Sequence, residues 1–141
     1  MVNGVMRKTG ASIIPALRYR EAAKAIDWLC DAFGFHKKMV VPAENGRIAH
    51  AELTIENGMV MLGDADSEFG NLVAPPSDTK RNSPGLYVVV ADVDMHYARA
   101  KAAGAEIVFD IKTQDYGGRD YTVLDLEGHV WTFGSYDPWL T

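Results

Sequence analysis

His50 and Glu52 stand two residues apart in Ile48-Ala49-His50-Ala51-Glu52-Leu53-Thr54-Ile55. On a strand, alternate side chains leave the same face, so an imidazole and a carboxylate are presented together. Such a pair either orients a polar ligand or exchanges protons as acid and base. The plainer alternative is a hydrogen-bonded polar sheet face, with Ala49, Ala51, Leu53 and Ile55 packed beneath. Arg18 ends another strand-like run, where it meets an anionic ligand or pairs with Glu52. Tyr87 lies in the β-rich run Leu86 to Val90, and Thr132 alternates with Trp131 and Phe133, which read as core. Tyr116 and Arg119 flank Gly117-Gly118, a loop placed to cover a cavity, and loops carry function more often than cores do.

The elements that position these residues come in two similar sets. Asp125-Leu126-Glu127-Gly128-His129-Val130-Trp131-Thr132-Phe133-Gly134 follows a strand-like run from Tyr121 to Leu124 and reads as a β-hairpin. Glu52 to Gly63 has the same strand, glycine turn, strand layout. Gly58 and Gly128 are 70 positions apart, as are Gly34 and Gly104, each of which closes a helical pattern. The spacing predicts a duplicated β-α-β-β-β module. The first spans residues 12–63, with a strand from Ser12 to Tyr19 and a helix from Glu21 to Phe33 whose Ala22, Ile26, Leu29, Cys30 and Phe33 share a face. Strands follow at His36 to Val41, Arg47 to Ile55 and Met59 to Leu62. Residues 64–84, with Pro75-Pro76 and Lys80-Arg81-Asn82-Ser83-Pro84, read as a linker. The second module spans 85–136, with a helix capped by Asp92 or Asp94 and a strand from Ala105 to Ile111. Tyr136 and Trp139 imply that the tail packs on something. Each module has one helix on one sheet face, so the two sheets are expected to face each other across a cleft.

Bulk properties narrow the function. The 141 residues suit one α+β domain, and a net charge of −5 opposes a broad nucleic-acid face. A single cysteine, Cys30, allows no internal disulfide and reads as buried filler. No run is long enough for a signal peptide or a membrane span, which makes the cytoplasm the expected location.

Leu17-Arg18-Tyr19, Ala25-Ile26-Asp27-Trp28-Leu29 and Phe33-Gly34-Phe35 stand in the first of the paired modules and Asp125-Leu126-Glu127-Gly128-His129 in the second. With these motifs the chain resembles the vicinal oxygen chelate superfamily of glyoxalase I, extradiol dioxygenases, fosfomycin-modifying enzymes and bleomycin-resistance proteins. Ile48 to Leu53 and Trp131-Thr132-Phe133-Gly134 are similar to its small PhnB-like members. The resemblance implies paired half-barrels enclosing a cleft, and a homodimer; exposed strand edges are consistent with the latter. Metal-dependent members place ligands on each first and last strand. Counted from the glycines, those positions fall near Ile14, Gly85, Leu62 and Thr132, none a usual ligand, with Asp64 and His129 the nearest donors. The expectation is therefore a metal-free binder of a small organic molecule, aromatic or antibiotic-like, with no cofactor. His50, Glu52, Arg18, Tyr87, Tyr116, Arg119 and Thr132 are its candidate contacts. The alternative is a divalent-metal lyase, isomerase or dioxygenase with a shifted site that uses His50 and Glu52; metal-free acid/base catalysis by the same pair is a third reading.

Overall fold

The computed structural model describes residues 10–65, 75 and 85–140. Helix α1 (Ala22–Phe33) buries Ala22, Ala25, Ile26, Leu29, Ala32 and Phe33. The alanines on this stripe let the helix backbone approach the sheet closely. It ends at Gly34, whose φ of 83° is left-handed and whose N–H bonds to the Cys30 carbonyl. Strands β1 (Ala16–Tyr19), β2 (His36–Pro42), β3 (Ile48–Ile55) and β4 (Gly58–Asp64) form one sheet in the order β1-β4-β3-β2, with β1 parallel to β4. The predicted strand from Ser12 begins only at Ala16. Pro15 has no N–H for a ladder, although its carbonyl still accepts from Met61.

The second module repeats this plan. Strands β5 (Leu86–Val89), β6 (Glu106–Thr113), β7 (Arg119–Leu124) and β8 (Val130–Gly134) lie in the order β5-β8-β7-β6, with helix α2 (Val93–Ala102) after β5. Asp92 caps α2 by accepting from the Met95 N–H at 3.1 Å. The chain thus has the expected α+β fold of two tandem βαβββ modules. Asp64, expected to open the linker, instead ends β4. Its buried carboxylate accepts from the N–H groups of Ala22 and Ile48 and pairs with Arg47 at 3.2 Å. Apart from Ala65 and the buried Pro75, the rest of the predicted linker lies outside the described residues. Among the described residues no helix is long and apolar enough to cross a membrane.

Strand register refines the 70-residue spacing. Leu53 pairs with Val60 and Val123 with Trp131, all four on the core side, so the second hairpin contains one more residue than the first. On the last strands the equivalent positions are therefore 71 apart, Leu62 matching Phe133, and the first strands show the same offset, Leu17 beside Leu62 matching Val88 beside Phe133. The matched glycines are not equivalent either. Glu56 (φ 50°) takes the left-handed position of the first hairpin and Gly128 (φ 92°) that of the second. Positions counted from those glycines are thus out of register. Leu62 faces the core, whereas Thr132 faces away from it.

One apolar core joins the modules. Phe33 lies 5.5 Å from Trp131 and 4.8 Å from Phe133, ring centre to ring centre, so the expected core role of both aromatics holds. Polar contacts then lock the joint. The Asp125 carboxylate accepts from Tyr19 Oη (2.6 Å), Trp131 Nε1 (3.0 Å) and the N–H groups of Glu127 and His129 (both 3.0 Å). Glu127 accepts the N–H groups of Arg20 and Glu21 at the start of α1. Arg99 of α2 donates to the Cys30 and Asp31 carbonyls at its end. Beside it His96 donates from Nε2 to the Phe33 carbonyl at 2.8 Å and accepts from Tyr121 Oη at Nδ1. Cys30, expected to be buried filler, is only partly buried, and that burial pushes its thiol pKa up.

Two stability predictions follow from this joint. Asp125→Ala strands a buried phenol, an indole N–H and two amides, so urea unfolding should lose about 3 kcal/mol or more; a loss below about 1 kcal/mol would contradict the assignment. His96 is held below its ordinary pKa of 6.5, first by burial, with Arg99 also lowering it and the Phe33 carbonyl opposing. The unfolded chain therefore binds a proton below about pH 6.5 that the native chain resists. The urea midpoint should fall as pH drops from 7.5 to 5.5, and fall less in His96→Gln; equal slopes would refute this.

Candidate functional site

The open face of the first sheet is built by alternation on β3. Ala51 and Leu53 are buried while His50, Glu52 and Thr54 point the other way. His50 Nε2 lies 2.9 Å from Glu52 Oε2, and Lys38 Nζ is 3.7 Å from the other carboxylate oxygen. The His50 hydrogen bond, assisted by Lys38, holds the Glu52 carboxyl below its ordinary pKa. A general base works best with a pKa near the working pH, so this shift moves Glu52 away from proton transfer. Their ladder neighbours are Met39, Val41 and Met61, an apolar surround without another acid. Arg18 is on the same face of β1, opposite Gly63. Its guanidinium occupies the space a Cβ on Gly63 would need, and the Asp64 charge acts on it.

The open face of the second sheet carries the aromatic groups. Tyr87 leans across Gly134, where a Cβ would collide with its phenol and with Asp120. Its hydroxyl donates to the Tyr136 carbonyl at 2.7 Å. Tyr116 donates to Asp120 Oδ2, and its ring meets Tyr136 at 75° with centres 5.4 Å apart. Gln114 Nε2 donates to the other Asp120 oxygen at 2.8 Å. Thr132 bonds to Thr122 across the ladder at 2.8 Å. Arg119 has a different setting from Tyr116: its guanidinium holds Asp94 of α2 at 3.1 to 3.3 Å and Thr113 Oγ1 at 3.3 Å.

Two adjoining recesses share Tyr87. The larger, about 540 Å³, runs between the first hairpin and β5, with Pro15, Phe35, Leu86, Trp131 and Trp139 among its walls. Glu56, Asn57 and Asp137 supply polar groups at this groove. The smaller, about 390 Å³, is bounded by Tyr87, Tyr116, Tyr136 and Pro138. The structure therefore brings Tyr87 and Tyr116 together, while His50, Glu52, Arg18, Thr132 and Arg119 lie outside both recesses. Reasoning from sequence missed Phe35, Asp120 and Gln114 as site residues. Only the aromatic tail carried a signal, and it divides: Tyr136 packs as expected, whereas Trp139 is 92% exposed.

The described residues do not by themselves assemble a divalent-metal centre. Among the described residues no three His, Cys, Asp or Glu side chains converge as ligands would. The two nearest donors have structural work. Asp64 ties α1 to β3, as above, and His129 is buried against Tyr19 with Nε2 donating to the Arg18 carbonyl at 3.1 Å.

Comparison with known proteins agrees with this architecture. TioX from Micromonospora sp. ML1 superposes with a TM-score of 0.71 at 34% identity, over 88% of this chain and 94% of that one. The fosfomycin resistance protein FosX from Listeria monocytogenes, solved with Mn(II) and 1S,2S-dihydroxypropylphosphonic acid, has a TM-score of 0.66 at 17% identity, over 94% of each chain, which shows a shared fold alone. A Mycobacterium bovis protein, Mb0911c, is 33% identical over 124 residues, 87% of this chain and 82% of its own length. The family model described as Glyoxalase/Bleomycin resistance protein/Dioxygenase superfamily matches residues 13–133, and the chain belongs to that superfamily.

Proposed function

We propose that the protein binds a small organic molecule bearing an aromatic ring, in the groove beside Tyr87, without a metal and without turnover. The observation that carries this reading is the groove's chemistry. Its walls are aromatic and aliphatic, its volume of about 540 Å³ suits a small ligand, and the His50–Glu52 pair stands outside it. Tyr87 and Trp139 offer exposed ring faces for stacking, with the buried Phe35 and Trp131 behind them. Burial of apolar surface at about 25 cal/mol per Å² supplies the affinity, while Asn57 and Asp137 orient the polar end of the ligand. The same reading places the protein in the cytoplasm as a homodimer. Apolar side chains stand exposed on one edge strand of each sheet, Met39, Val40 and Val41 on β2 and Phe109, 68% exposed, on β6.

The neutral dye N-phenyl-1-naphthylamine should brighten on binding, and Trp139→Ala should weaken it about tenfold, the worth of one stacking contact. His50→Ala, Glu52→Gln and EDTA should leave the affinity unchanged. Loss of binding with EDTA or with His50→Ala would favour a metal-dependent site instead. Light scattering after size exclusion should give about twice the chain mass of 15.5 kDa; a mass of one chain at 50 µM (a concentration ~50 times a typical micromolar Kd) would refute the dimer.

A further inference from the structure

The smaller recess has a chemistry of its own. Tyr116 and Tyr136 meet nearly at right angles and form two walls of a corner, and Tyr87 forms a third. Behind Tyr116 lies Asp120, only 8% exposed, with both carboxylate oxygens engaged by neutral donors, the Tyr116 hydroxyl and the Gln114 amide. Among the described residues Asp120 makes no salt bridge. Its negative charge therefore lies close beneath the phenol walls without a cation. Two glycines make this arrangement possible. A Cβ at Gly134 would strike Tyr87, and a Cβ at Gly118 would strike Tyr136.

We propose that this tyrosine corner seats an organic ammonium group, tertiary or quaternary, carried by the ligand. Aromatic faces carry negative quadrupole charge and attract a cation within about 6 Å of the ring centre. A hydrogen bond from a phenol to a carboxylate makes its ring more electron-rich. An alkylammonium is weakly hydrated, so it exchanges water for aromatic walls more readily than a sodium ion does. Asp137, on the wall of the adjoining groove, adds a second carboxylate, and the chain's net charge of −5 repels anions. Asp120 also pushes the Tyr116 hydroxyl up to about 12, so that phenol keeps its proton and its hydrogen bond across the neutral range. The ligand class then becomes an aromatic molecule with an amine a few bonds from its ring. This extension rests on the groove reading for the aromatic half; the corner needs only the cation.

The test titrates the full chain, labelled with nitrogen-15, with tetramethylammonium chloride, and with sodium chloride at equal ionic strength. Tetramethylammonium should produce saturable shifts at the amides of Gly118 and Asp137 that sodium does not. Tyr116→Leu and Asp120→Asn should each weaken the binding about tenfold, within the range of a desolvated cation–π contact. Tyr87→Leu, which removes the third wall and leaves Asp120 with its Tyr116 and Gln114 partners, should do the same if Asp120→Asn disturbs the fold. Equal shifts with both salts, or unchanged affinity in Tyr116→Leu, would overturn the proposal. Two further probes separate it from the groove reading. Benzyl alcohol shifting groove amides without any response to tetramethylammonium would leave the groove and remove the corner. Saturable tetramethylammonium binding with no gain for benzyltrimethylammonium would leave the corner and remove the groove.

Discussion

Helix α1 has no charge of its own suited to either end. Its first turn holds no acid, its last turn no base, and its Glu21 cap makes no side-chain bond. The second module supplies both. Glu127 meets the free N–H groups at the start, Arg99 meets the free carbonyls at the end, and each has the sign that the helix dipole favours. Such contacts contribute about 0.3–2 kcal/mol each. Their larger effect is geometric, because a helix gripped at both ends by the opposite module can sit in only one place. Asp125 secures that grip by binding Tyr19 from one module and Trp131 from the other. The Asp125–His129 loop is therefore a clamp between the modules.

The clamp decides where a ligand can go. With the buried faces of both sheets packed in one core with α1 and α2, the groove between the first hairpin and β5 is left between the modules. Its base consists of core residues seen from the side: Trp131 closes the core on one flank and walls the groove on the other. The aromatic character of the site is thus a consequence of how the core is built. Glycine plays a matched part on both open faces. Gly63 and Gly134 occupy equivalent positions on β4 and β8, and each leaves room for a long side chain, Arg18 over one and Tyr87 with Asp120 over the other. The duplicated scaffold thereby presents a guanidinium in one half and a phenol in the other.

Most of the fold was legible because periodicity and punctuation were local and agreed. The alternation around Ala51 and Leu53, the stripe from Ala22 to Phe33 and the cap at Gly34 each announce one element, and together they give the module twice. The exact repeat was not legible. The extra residue sits inside a hairpin whose two glycines look equivalent, and only ladder partners reveal that the left-handed residue of the first turn is Glu56. The site was legible only in part. Tyr87 and Tyr116 stood out as aromatic residues with local signals, but Asp120 and Gln114 gain their meaning only from how the turn between β6 and β7 folds their side chains onto one another and Tyr116. Arg119 looked like a ligand contact beside Tyr116 because they flank one turn, whereas its charge is drawn to Asp94 on α2. In the sequence His129 and Glu127 were legible only as part of a hairpin. Their roles depend on contacts more than 100 positions away in sequence.

The central claim is that ligands enter beside Tyr87 and Trp139 and leave the His50–Glu52 face untouched. The most direct measurement follows indole and imidazole resonances together while the chain is titrated with a neutral aromatic ligand such as N-phenyl-1-naphthylamine. The account predicts saturable shifts at the Trp139 indole N–H and none at the His50 imidazole. Shifts confined to His50, with Trp139 unmoved, would contradict it.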